Sequence, residues 1–127
     1  MKINKLLLIS FVLLMMFSTS CVLNSLKTLN ANATNECSAG YIITGSSACT
    51  LTINNQDNFD WHNVKITLND VFNNYGTVPV VKAGDTYNIT FDHLTKADGT
   101  FYNVRTMSVL KLKISSDNGI CTFTWPN

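Results

Sequence analysis

From Cys49 to Trp125 the chain alternates apolar and polar residues with a period of two nearly throughout, and no helical period follows residue 20. Each alternating segment has one face to bury, so the segments must fold as strands of sheets packed against one another. Cys49, Leu51 and Ile53 mark the first inward face, and Asn54-Asn55-Gln56-Asp57-Asn58 reads as a turn. His62, Val64, Ile66 and Leu68 mark the second inward face, against Asn63, Lys65 and Thr67 outward, and Asn69-Asp70 stops that strand. A short segment over Val71–Tyr75 precedes Gly76. Val78–Val81 contains Pro79, which lacks a backbone N–H, so it is an edge strand or none. Tyr87, Ile89 and Phe91 form a further face between the turns Lys82–Thr86 and Lys96–Thr100. Ser108, Leu110, Leu112 and Ile114 form the next, and Asp117-Asn118-Gly119 makes a hairpin into Ile120–Trp125. The pattern predicts an all-β fold, a small β-sandwich of six to seven strands.

Ahead of the strands, residues 1–20 have the layout of a secretory leader: Lys2 and Lys5, an apolar run from Leu6 to Phe17, then small residues. The run has 12 residues, too few for a bilayer span, which needs about 20. The chain is therefore expected to be exported and the leader cleaved. Two cleavage sites compete. Ser18-Thr19-Ser20-Cys21 resembles the lipobox of bacterial lipoproteins, in which the Cys is lipidated and becomes the mature N-terminus. Ser18 departs from that family's preference for Leu. Ala31-Asn32-Ala33 fits the small-x-small site of ordinary signal peptidase but lies some fifteen residues beyond Phe17. Position directly behind the apolar run is the harder constraint, which favours lipidation at Cys21. The expected organisation is a signal peptide at 1–20 (alternatively 1–33), a flexible tether at 21–36 and a β-sandwich domain at 37–127.

From Thr34 onward six Lys and Arg face eight Asp and Glu, so no basic excess survives processing. That balance argues against a nucleic-acid partner held through its phosphates.

Cys37, Cys49 and Cys121 remain in the mature chain, which allows one internal disulfide and one thiol. Cys49-Thr50-Leu51-Thr52-Ile53 and Cys121-Thr122-Phe123-Thr124-Trp125 share one pattern. If first and last strands lie parallel, Cys49 and Cys121 come level, and they are the expected pair. The rival, Cys37 with Cys49, conflicts with a hairpin of Tyr41–Thr44 on Cys49–Thr52, which would set Cys37 opposite Gln56. A zinc site lacks its paired-cysteine spacing, so no metal and no other cofactor is expected.

Asn54-Asn55, Phe59–Asn69, Ala83–Ile89 and Asp98–Phe101 together resemble a pattern of small exported bacterial proteins of immunoglobulin-like build. The resemblance covers about half the chain and implies an immunoglobulin-like sandwich. It carries no catalytic residue.

The sequence contains no Gly-x-Ser-x-Gly, and neither His lies beside a nucleophile motif. His62 is expected on an inward face and His93 at a solvated strand end. Asp57, Asp60 and the neighbouring Asn residues fit ordinary turns better than a calcium loop. Phe59 and Trp61 are the candidate contact residues: alternation points Trp61 away from Val64, onto the outer face, where an aromatic pair can anchor a partner. A bulge would instead return Trp61 to the core. The expected function is a non-catalytic binding or structural module of the bacterial envelope, anchored to the membrane by lipid, with a protein or envelope component as partner. The alternative is a small secreted enzyme or metal-dependent domain whose site is assembled only in the fold.

Overall fold

A computed structural model describes residues 27–38, 40 and 45–126. The leader, and Cys21 with it, lie outside the described residues. Among the described residues the strands are β1 (Ala31–Cys37), β2 (Cys49–Asn55), β3 (Trp61–Leu68), β4 (Phe72–Asn74), β5 (Val78–Val81), β6 (Thr86–Thr90), β7 (Leu94–Thr95), β8 (Lys111–Ser116) and β9 (Gly119–Thr124). They form two sheets, as the alternation requires: a three-stranded sheet in the order β1-β2-β6, and a larger one in the order β7-β4-β3-β8-β9. β5 adds to the larger sheet by pairing with β3 alone, so the Pro79 strand is an edge strand as expected.

The core lies between the sheets. Cys49, Leu51, Ile53 and Ile89 project from the small sheet onto Trp61, Val64, Ile66, Leu68, Leu112 and Ile114 of the large one. Phe91, Leu94 and Tyr102 close one end. The Tyr102 ring meets Phe72 and Phe91 edge-on, at centroid separations of 5.2 and 5.1 Å. Each such aliphatic or aromatic side chain stabilises the fold by roughly 1.5–3 kcal/mol through burial.

Four expectations need correction. The segment read as a tether to residue 36 contains β1, which pairs antiparallel with β2 from Ala31↔Asn55 to Cys37↔Cys49. Its alternation of Ala with Asn and Thr carries too little apolar bulk to signal a strand. The packed chain begins earlier still. Thr28 makes a parallel bridge to Ile120, and Leu29 is buried at 3% exposure.

The disulfide joins Cys37 to Cys49, not Cys49 to Cys121, and Cys121 is a buried free thiol. The strand beside Cys49–Thr52 is β1 rather than Tyr41–Thr44, and its register sets the two cysteines directly opposite. Ser38 N–H donates to Ala48 O one step further on, so Cys37 and Cys49 occupy a non-hydrogen-bonded pair. At such a pair Cα atoms approach to about 4.5 Å; here they are 4.0 Å apart. A parallel contact between an early segment and the last strand does exist, but Thr28 makes it.

Trp61 is fully buried, whereas His62, expected inward, is exposed. Asn63 adopts φ 52°, the left-handed region, and shifts the phase of the strand. Trp61 and Val64, three apart, therefore both face the core. Phe59 is half-buried against the core, with Lys27 Nζ 6.0 Å from its ring centroid.

The eighth strand starts at Lys111, and Leu110 before it is 41% exposed. Asn69 accounts for the early departure: its Oδ1 accepts from the N–H groups of Leu110 and Lys111, and its Nδ2 donates to Ser108 O.

Candidate functional site

Of the residues singled out in the sequence, Trp61 belongs to the core, Phe59 to its margin, and Cys49 to a disulfide with Cys37. Phe59 and Trp61 therefore present no aromatic pair to a partner. The concave feature of interest lies elsewhere, at an open end of the sandwich where β6 faces the chain leaving β4.

Both sides of that cleft follow from local structure. Asn74, the last residue of β4, is held by its side chain: Oδ1 accepts from Ile66 N–H at 2.9 Å. Gly76 follows at φ 72°, a conformation glycine adopts freely, and turns the chain out of the sheet. Tyr75, between them, is thrown outward and is 92% exposed. Opposite stands β6, ending in a single 3-10 turn at Phe91–His93. The cleft between them has a volume of about 600 Å³ and is lined by Thr50, Asn74, Tyr75, Tyr87, Asn88, Ile89, Thr90 and His93. None of these side chains carries a fixed charge. Four of them are consecutive in β6, so the cleft opens along the strand's edge; a sheet face would present alternate residues.

The backbone of that edge can be assigned. Asn55 N–H donates to Asp85 O, which makes 55 and 85 a hydrogen-bonded pair. By alternation Ile53 with Tyr87 and Leu51 with Ile89 also exchange hydrogen bonds. Thr86, Asn88 and Thr90 therefore direct their N–H and C=O groups away from β2, to the side on which no further strand pairs among the described residues; Asn88 and Thr90 also line the cleft.

At its mouth, His93 Nδ1 lies 2.7 Å from Thr90 Oγ1 and 3.1 Å from Asp92 Oδ1. Both contacts use the same ring nitrogen. A nucleophile–His–carboxylate relay needs the hydroxyl and the carboxylate on opposite nitrogens, so this trio cannot pass a proton along the ring; Thr90 Oγ1 alone is hydrogen-bonded to it. Cys121 lies apart, 9% exposed, and burial pushes its thiol up to about 11, away from the thiolate form a nucleophile requires. Among the described residues no group of three or more His, Cys, Asp or Glu side chains is placed to hold a metal.

A second recess is lined by Asp70, Val71, Asn73, Lys96, Ala97 and Asp98; its charges come from the turn after β3, where Asp70 pairs with Lys111, and from the Lys96–Thr100 turn. In the latter Thr100 donates its N–H to Asp98 Oδ1, and this hydrogen bond holds the Asp98 carboxyl below its ordinary range.

Sequence reasoning passed over Tyr75 and the β6 edge. The available signal was Thr86-Tyr87-Asn88-Ile89-Thr90, a strand with neither charge nor proline. Its position at a sheet edge is a property of topology. No family model, curated protein or solved structure matches this chain.

Proposed function

We propose that the protein is an exported, lipid-anchored binding module of the bacterial envelope, with Cys21 as the lipidated N-terminus. The observation that carries this reading is the packing of the chain ahead of Ala33. Leu29 N–H donates to Ile120 O, Ile120 N–H donates to Lys27 O, and Leu29 is buried. Cleavage after Ala33 would remove these residues and the first three of β1. Cleavage before Cys21 keeps all of them. The Cys37–Cys49 disulfide is compatible with an oxidising, extracytoplasmic setting.

Stable anchoring takes more than one acyl chain, which a lipoprotein N-terminus supplies. Lys27 stands six residues after Cys21, a reach of at most about 20 Å, so such an anchor would hold the sandwich close to the bilayer. Intact-mass spectrometry of the mature protein tests the reading. A diacylated or triacylated Cys21 is expected; a lipid-free chain starting at Thr34 overturns it.

A further inference from the structure

We infer that the free edge of β6 is a docking site for an extended, uncharged segment of a partner protein, which adds as a strand to the small sheet. This deepens the reading of the domain as a binding module and rests on it.

The exposed edges of this sandwich are unequal. β5 carries Pro79, and β7 is two residues long. β1 carries Glu36 beside its disulfide. β9 is met at Ile120 by the chain at 27–29. Proline, charge, brevity and a covering segment are the usual means of keeping another strand from pairing. Among the described residues β6 has none of them within its own length; the charges of Lys82 and Asp85 lie in the turn ahead of its first residue. Its five residues include no charge and no proline, its backbone has no left-handed residue, and its Thr, Tyr and Ile residues favour the extended state. An unprotected edge of this kind is a template for strand addition.

The cleft supplies what a bare edge lacks, which is selectivity. The side chains of an added strand alternate, and one row would enter the space between Tyr75 and His93. Tyr75, exposed over nearly its whole surface, gives that row an aromatic wall. A charged side chain there would find no fixed counter-charge in the lining. The occupant that fits is a short strand, uncharged, with aliphatic or aromatic residues at every second position. Main-chain bonds to the N–H and C=O of Asn88 and the neighbouring outward groups would hold it.

Asn88→Pro is the decisive variant. The Asn88 N–H points away from β2, so proline deletes a bond to the incoming strand and no bond within the domain. Tyr87 before it is already extended, as a residue preceding proline must be. Asn88→Lys is the second variant, placing a charge on the edge without altering the backbone. A displayed library of random twelve-residue peptides is selected on the mature protein, and the enriched peptides are measured by fluorescence anisotropy.

The expected result is enrichment of uncharged, alternating sequences that bind both variants at least tenfold more weakly. Hydrogen exchange at the Asn88 and Thr90 amides should slow at least tenfold in the complex. Failure to enrich any peptide, or peptides that bind Asn88→Pro as well as the natural chain, overturns the inference. So does a dimer of the mature protein that Asn88→Pro disperses, since a second copy would then hold the edge. Binding of cellohexaose or chitohexaose that depends on Tyr75 and not on Asn88 overturns it too, but leaves the binding-module reading standing. That reading falls separately, on a lipid-free N-terminus at Thr34.

Discussion

The indole Nε1–H of Trp61 donates to Asp57 Oδ2 at 2.8 Å, and the same oxygen accepts from the Asn30 N–H at 3.1 Å. One carboxylate oxygen thus ties the core tryptophan to the chain leading into β1. Trp61→Ala should cost about 3–5 kcal/mol of stability through the cavity it leaves. Trp61→Phe keeps most of the packing but leaves Asp57 without its indole donor, and should cost about 1–2 kcal/mol. Urea denaturation of the two variants checks both values. A loss under about 1 kcal/mol for the alanine would contradict the burial of Trp61.

Disulfide mapping without reduction should link Cys37 to Cys49, twelve residues apart in sequence. Replacing both by Ser should cost about 3 kcal/mol in the chain-entropy description, less if the unfolded chain keeps structure. Cys49 is fully buried and Cys37 exposed, so Cys49→Ser should cost more than Cys37→Ser. Cys121 should resist iodoacetamide in the native protein at pH 8 and react once the protein unfolds.

Stability should fall at alkaline pH. Burial raises the Tyr102 hydroxyl to about 12 and the Cys121 thiol to about 11 in the folded state, from ordinary values of 10.0 and 9.0. Both groups are neutral when protonated, so the folded protein holds these protons more tightly than the unfolded chain. The contribution is fully present below about pH 9 and is lost as pH rises through about 11 to 12. Each group contributes on the order of 1–3 kcal/mol. Tyr102→Phe should flatten the upper part of the profile, at the expense of the hydroxyl's bond to Met107 O. Thermal melts from pH 7 to 11 provide the measurement.

Asn55 is fully buried in the interior. Its Nδ2 donates to Phe59 O and Val81 O, each at 3.0 Å, and its Oδ1 accepts from Asp57 N–H at 2.9 Å. Asn55→Ala strands three backbone groups and should cost about 3 kcal/mol or more. Asn55→Asp, close in shape, has no amide to donate and should recover little of that loss. Chemical denaturation separates these outcomes from the near-neutral change expected of an exposed turn asparagine.

Gly119 is hemmed in by the leading chain: a Cβ there would overlap the backbone carbonyl of Lys27 and come within 3.2 Å of Leu29. Gly119→Ala should displace residues 27–29, cost about 1–3 kcal/mol, and open the segment ahead of β1 to proteolysis. Limited trypsin digestion at Lys27 reads this directly. Unchanged protection would show that the segment contributes no packing.

Much of this protein was determined by short-range chemistry that the sequence displays. Leu51 and Ile53, and Val64, Ile66 and Leu68, face the core because alternation leaves them no other side. Pro79 confined its strand to an edge, and the Asp117-Asn118 pair and the Lys96–Thr100 segment turned where expected. Each of these depends on a residue's own backbone preferences or on neighbours a few positions away. What the tertiary structure decided depends on register and on single departures from regularity. One left-handed residue, Asn63, reversed the facing of Trp61 and His62. A strand of alanines, asparagines and threonines, with too little apolar surface to declare itself, took the place beside β2 and so chose Cys37 as the partner of Cys49. Asn55, Asn69 and Asn74, indistinguishable in sequence from other turn asparagines, became brackets because backbone groups elsewhere arrived unpaired within reach. The β6 edge follows the same logic: its composition is local, but its lack of a second neighbouring strand among the described residues is a consequence of strand order, which alternation cannot encode.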